Sequence, residues 1–150
     1  MNDKLDTFLD NLQEEIFDEA RGVLGEAGFE RWQDPKYMGR MEKYDVHASV
    51  TGSCGDTIEM FLKFDNNCVT DASYITDGCG TSSVCGSFAA EFAIGRKSEE
   101  LADITGDTIL AKLGTVPEDE QHCTTLAAGA VQEALRLYMT DNQCKMVKLE

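Results

Sequence analysis

A chain of 150 residues fits a single domain and is long enough to enclose a core. With 42% apolar and 27% charged residues it is globular in composition and not a disordered tract. The formal net charge of −15 argues against nucleic-acid and anionic-membrane partners, which need clustered Lys and Arg, and suits docking onto basic protein surfaces.

No apolar run approaches the ~20 residues of a membrane span. Met1-Asn2-Asp3 opens an acidic segment without a signal-peptide pattern, so a cytoplasmic protein is expected. In that compartment thiols stay reduced, and six cysteines then point to metal binding or redox chemistry, not to disulfides.

Residues 3–24 read as one amphipathic helix. Leu5, Phe8, Leu9, Leu12, Ile16, Ala20, Val23 and Leu24 recur at three- and four-residue steps, with Asp3, Asp6, Asp10, Glu14, Glu15, Asp18 and Glu19 in between. Gly25 or Gly28 is placed to stop it. The expected role is a cover for the domain core, with a dimer or partner contact as the alternative. The segment 31–39, punctuated by Pro35 and Gly39, reads as a loop that Trp32 and Tyr37 pin to the core.

Three strands follow. Tyr44 to Val50 places Val46, Ala48 and Val50 on one face. Asp56 to Phe64 sets Ile58, Met60, Leu62 and Phe64 opposite Glu59, Phe61 and Lys63. Asp65-Asn66-Asn67 is turn chemistry, and Cys68 to Ile75 returns as the third strand. Short connections imply an antiparallel meander. In a meander the loop holding Cys54 and the exit holding Cys79 lie at the same end of the sheet.

From Thr81 the pattern is helical to Gly95, with Val84, Phe88, Ala89 and Phe92 inward. Ser98 is placed to cap a short helix to Leu101, and Asp107 another to Leu113. Gly114 to Gln121 reads as a loop. A last helix spans Thr124 to Met139 with Leu126, Ala127, Ala130, Ala134, Leu137 and Tyr138 packed, so His122-Cys123 stands at its start. Residues 141–150 read as a disordered tail ending in Leu149-Glu150, which has the look of a cloning remnant.

The chemistry concentrates on three cysteines. Gly78-Cys79-Gly80 lies between a strand and a helix, where glycines permit a sharp turn and close approach of a ligand. A helix N-terminus favours the thiolate, the form that binds metal or attacks. Cys54, beside Gly55-Asp56, and Cys123, beside His122, complete a set of soft donors suited to zinc or iron–sulfur chemistry. No C-x-x-C occurs, and the intervals between these cysteines match no zinc finger or ribbon. A fourth ligand is open between Asp56 and His122; either makes a more labile site than four cysteines. His47 and the buried-looking Cys85 read as structural, and Cys68 and Cys144 lie away from the site.

These residues resemble the NifU/IscU-type iron–sulfur cluster assembly scaffold family. The resemblance rests on Asp34-Pro35-Lys36-Tyr37-Met38-Gly39, Gly52-Ser53-Cys54-Gly55-Asp56, Asp77-Gly78-Cys79-Gly80-Thr81-Ser82, Glu91 to Lys97, and His122-Cys123, in unbroken order over about residues 31–140. It implies an α+β fold, with a three-stranded antiparallel sheet packed by helices on one side. The expected organisation is an N-terminal helical extension over 1–30, the scaffold domain over 31–140, and the tail over 141–150. The resemblance also implies a transient [2Fe–2S] cluster held by Cys54, Cys79 and Cys123, with Asp56 or His122 as exchangeable fourth ligand. A cysteine desulfurase supplies the sulfur, Cys123 is the expected acceptor, and recipient apo-proteins take the product. On this reading the protein is a carrier and not an enzyme, with homo-oligomers open. The Leu-Pro-Pro-Val-Lys peptide by which the family engages an Hsp70-type chaperone is replaced by Gly114-Thr115-Val116-Pro117-Glu118-Asp119-Glu120, so that route lacks its signal. The Cys79–Cys123 interval also lacks the insertion of the zinc-binding SufU branch.

Two other readings compete. The same cysteines with Asp56 would hold zinc in a sulfur acceptor that serves a desulfurase. A thiol enzyme would use Cys123 as nucleophile and His122 as base, which requires adjacent residues to point at one another.

Overall fold

A computed structural model describes residues 3–149 apart from positions 54, 79, 115, 117, 119 and 120; side chains are described for these except Ala20, Val23 and 141–149. The order is α1 (Asp3–Gln33), β1 (Val46–Thr51), β2 (Thr57–Asp65), β3 (Cys68–Thr76), α2 (Gly80–Ala93), a 3₁₀ helix (Ser98–Asp103), α3 (Gly106–Leu113) and α4 (His122–Leu149). No helix among the described residues is long and apolar enough to cross a membrane.

The sheet is the expected antiparallel meander, ordered β1-β2-β3. Val46 faces Leu62 and Thr51 faces Thr57 across the first pair; Ile58 faces Thr76 across the second. Asn66 and Asn67 make the two-residue turn, with φ of 53° and 67°. Paired positive φ values are what a type I′ hairpin needs, and Asn tolerates them. Val46, Ala48, Ile58, Met60, Leu62, Ala72 and Tyr74 are buried on one face. Against that face pack Val84, Phe88 and Ala89 of α2 and Ala127, Ala130, Val131 and Ala134 of α4. Small residues on α4 let its axis lie close to its neighbours. Phe64 follows Leu62 on the same face of β2, and the Tyr138 ring stacks on it at 3.8 Å.

Phe61, read as outward, is fully buried. The segment between α1 and β1 covers it. That segment first borders β3, where Gly39 N–H donates to the Tyr74 carbonyl and Tyr74 N–H donates to that of Tyr37. It then brings Tyr44 onto the Phe61 ring at 5.3 Å, beside His47, which stacks on Phe61 at 4.6 Å and bonds Glu59. His47 is therefore structural, as expected. Tyr37 holds the loop by its backbone, while its side chain is exposed.

The N-terminal helix departs most from expectation. Gly25 breaks it with φ 75° and ψ 176°, but the helix resumes and runs to Gln33, so Trp32 sits on a helix and not in a loop. Glycine bends the chain here without ending the helix, because the residues beyond it have their own buried face: Gly28 and Phe29 pack inward. On a straight helix Phe17 and Trp32 would stand about 22 Å apart. Their rings are 6.3 Å apart, so the chain doubles back at Gly25. The first leg does not cover the core. Leu5, Phe8, Leu9, Leu12 and Ile16 are 43–62% exposed.

Two caps also differ. Thr105, and not Asp107, caps α3 through a reciprocal capping box with Thr108. Ser98 lies inside its helix, whose cap is Lys97. The last helix starts at His122 and continues past Met139 to Leu149. Of the expected loop at 114–121, positions 115, 117, 119 and 120 lie outside the described residues.

Candidate metal centre

Three chain segments meet at one end of the sheet. The β1–β2 connection is tied by hydrogen bonds from Gly52 N–H to the Asp56 carbonyl and from Gly55 N–H to the Gly52 carbonyl. Beside it, the exit of β3 is fixed by Asp77, whose Oδ1 accepts from Thr57 N–H at 2.8 Å. Thr76 Oγ1 donates to the Thr57 carbonyl at 2.7 Å and accepts from Gly78 N–H at 3.0 Å. The exit of β3 is thus anchored on Thr57, the first residue of β2, next to the Asp56 that closes the other turn.

Cys123 is fully buried in the first turn of α4, Asp56 is half-buried, and His122 is exposed. One ligand atom from each lies within 4.8 Å of the others. The Cys123 Sγ stands 3.6 Å from His122 Nε2. Adjacent residues at a helix start were not expected to point together. His122 is the first residue of α4, and its ring folds back over the sulfur. Cys54 and Cys79 lie outside the described residues, but their neighbours Gly55, Asp56, Gly78 and Gly80 belong to this same end. Cys68 opens β3 opposite Asp65, at the far end, and Cys85 is buried in α2.

The glycines around Cys79 do more than allow a turn. A Cβ on Gly78 would stand 2.8 Å from Asp56 Oδ2 and from Ser82 Oγ; one on Gly80 would stand 2.9 Å from Trp32 Nε1. They make room for protein groups already present. Ser82 is the residue that sequence reasoning passed over. Fully buried in the first turn of α2, it donates to Asp56 Oδ2 at 3.0 Å and lies 3.3 Å from Cys123 Sγ. Its signal was faint: a hydroxyl three residues after Cys79, hence on the same side of a helix start.

Residues 26–145 match the NifU-like N terminal domain, which is most of the chain. The chain belongs to that family. Among relatives, an iron–sulfur cluster assembly scaffold protein, IscU, of Archaeoglobus fulgidus is 33% identical over 115 residues, covering 76% of this chain and 75% of the relative. The fold recurs in a NifU-like N-terminal structure from Brucella abortus, at 22% identity and TM-score 0.63, over 80% of this chain and 96% of that one. It recurs again in a candidate SUF-system scaffold from Fervidobacterium islandicum AW-1, at 17% identity and TM-score 0.65, over 77% and 98%. The family match begins just after the break at Gly25, so the exposed first leg of α1 precedes it.

Within this NifU-like domain, the three described donors offer a carboxylate oxygen, an imidazole nitrogen and a thiol sulfur. Such a mixed set fits zinc and, with further thiolates, iron–sulfur chemistry. The N-termini of α2 and α4 converge on it, as the Ser82–Cys123 contact shows. The partial positive charge of a helix N-terminus favours negative charge at this spot, hence thiolate and carboxylate ligands.

Proposed function

We propose that this domain is a platform on which a transient [2Fe–2S] cluster is built from iron and desulfurase-derived sulfur and then passed to recipient apo-proteins. Cys54, Cys79 and Cys123 hold the cluster, and Asp56 or His122 is the exchangeable fourth ligand. The observation that carries this reading is the convergence of Asp56, His122 and Cys123 at the end of the sheet to which Gly55 and Gly78, the sequence neighbours of Cys54 and Cys79, belong. A buried thiol beside an exposed histidine and a half-buried carboxylate gives one firm anchor and two replaceable ones. That is the combination a carrier needs, because the cargo must leave. Cys123 is the proposed sulfur acceptor.

The test is anaerobic reconstitution with iron, cysteine and a cysteine desulfurase, followed by ultraviolet–visible spectra and metal analysis. Charge-transfer bands, about two iron per site and transfer to an apo-ferredoxin are expected. Cys79→Ser should abolish the bound cluster, and full retention would remove Cys79 from the site. Asp56→Ala should slow cluster loss; unchanged release would assign the exchangeable position to His122.

A second reading is favoured by the oxygen–nitrogen–sulfur donor set itself, which is an ordinary zinc environment. A colourless protein holding one zinc and only stimulating the desulfurase would make it a sulfur acceptor.

A further inference from the structure

The buried hydroxyl of Ser82 stands between two of the proposed ligands and is neither a ligand nor part of the hydrophobic core. We propose that Ser82 is a positioning residue: it holds the Asp56 carboxylate at the cation that Cys123 takes. The inference rests on the ligand set given above.

The geometry is specific. Ser82 is fully buried, and its Oγ donates to Asp56 Oδ2 at 3.0 Å while lying 3.3 Å from Cys123 Sγ. A serine hydroxyl has one proton and two lone pairs. With that proton given to Asp56, the side facing Cys123 is an acceptor, and the thiol proton completes a chain from sulfur to hydroxyl to carboxylate. A soft cation that takes the sulfur displaces the thiol proton. The Ser82–Asp56 bond needs no rearrangement in that step, so Oδ2 stays tethered and Oδ1 is left to meet the ion.

The surroundings reinforce the tether. Asp56 ends a glycine-containing turn, where Gly55 has φ 94°, and its carboxylate is half-buried. Gly78 leaves room for this pair, since a Cβ there would stand 2.8 Å from both Asp56 Oδ2 and Ser82 Oγ. Ser82 itself is fixed by the first turn of α2. The β1–β2 connection thus presents its carboxylate to the start of α2 by way of one hydroxyl. Partners of this kind, which orient a ligand without touching the metal, typically change metal affinity 10–100-fold when removed.

The experiment is cobalt(II) titration of the metal-free protein, read by the ligand-field and sulfur-to-cobalt absorption bands, for wild type, Ser82→Ala, Asp56→Ala and the double variant. Thermal unfolding of each metal-free protein checks that the fold is kept. Ser82→Ala should weaken cobalt binding about 10-fold and alter the ligand-field bands. In the Asp56→Ala background the same change should cost less than about 2-fold, because Ser82 acts through the missing carboxylate. Wild-type affinity and bands in Ser82→Ala would overturn the proposal. So would an equal loss in both backgrounds, which would mark Ser82 as a packing residue. A wild-type chain that takes up no cobalt would overturn the ligand set, and this inference with it.

Discussion

The first leg of α1 and the helix α4 carry apolar residues at the same helical spacing, yet they end in opposite environments. On α4, Ala127, Ala130, Val131 and Ala134 are fully buried between the sheet and α2. On α1, Leu5, Phe8, Leu9, Leu12 and Ile16 form an equally regular stripe that stays exposed. Periodicity encodes that a helix has an apolar face; it does not encode what lies opposite that face. Residue size separates the two cases. Alanines permit close approach to a crowded core, whereas the large side chains of α1 would need a groove, and the inner face of the sheet is already occupied.

Truncating one phenylalanine in each region draws the sharpest contrast. Phe88 lies at 1% exposure in α2, and Phe88→Ala should cost about 3–5 kcal/mol in urea unfolding. Phe8, at 62% exposure, should tolerate the same change within about 0.5 kcal/mol. A large loss at Phe8 would mean that the stripe is covered in solution.

Glycines sharpen the same comparison with a change of sign. In α2 a Cβ on Gly86 would meet the Tyr74 ring at 2.7 Å, and the ring is locked in the core. Gly86→Ala should destabilise by about 1–3 kcal/mol through overpacking. In the first leg of α1 a Cβ on Gly22 meets nothing within 4 Å. Gly22→Ala should stabilise by up to about 1 kcal/mol, from helix propensity alone. Equal signs in a thermal melt would show that the two helices are not packed so differently.

How far the fold could be read beforehand follows the range of the interactions involved. The meander was legible because alternation, the Asn66-Asn67 turn and short connections are local signals. The start of α4 was legible to within two residues, Thr124 expected against His122 observed, and with it the place of Cys123. The burial of Phe61 was not, because its cover comes from Tyr44, in an irregular segment without a period, and from the His47 ring on β1. The doubling of α1 was hidden since a glycine can end, bend or merely interrupt a helix, and only Phe29 and Trp32 packing inward decides which. The same reason hid Ser82: a serine near a helix start is ordinary, and its partners Asp56 and Cys123 come from distant parts of the chain.

A smaller effect is expected at Tyr74, which the inner face buries completely. Burial pushes its phenol above the ordinary tyrosine value of 10.0, opposed by its bond to Ser83, by Arg31 and by Ser87. The raised value means the folded protein keeps a proton that the unfolded chain loses. This contribution is therefore intact below pH 10.0 and is lost as the pH rises beyond it. Of the four tyrosines, one should form tyrosinate late in an absorbance titration. Tyr74→Phe should remove that late step and, through the lost bond to Ser83, cost about 1 kcal/mol at neutral pH. Tyrosinate formation at Tyr74 without any loss of stability would mean that the ring is not held as described.

The smallest effect tests where the two regions join. The chain's one tryptophan, Trp32, stands over Gly80 at the start of α2 and contacts Phe29 and Phe17, the latter from the exposed leg. In Gly80→Ala the new Cβ would sit 2.9 Å from Trp32 Nε1, so the indole must give way. It has somewhere to go, because its Phe17 side belongs to the leg with little else holding it. The cost should therefore be below about 1 kcal/mol, less than at Gly86, where the opposing ring cannot move. The tryptophan emission should shift to the red as the indole becomes wetter. An unchanged emission would show that Trp32 is not seated on Gly80, and would detach the first leg of α1 from the end of the sheet where the ligands gather.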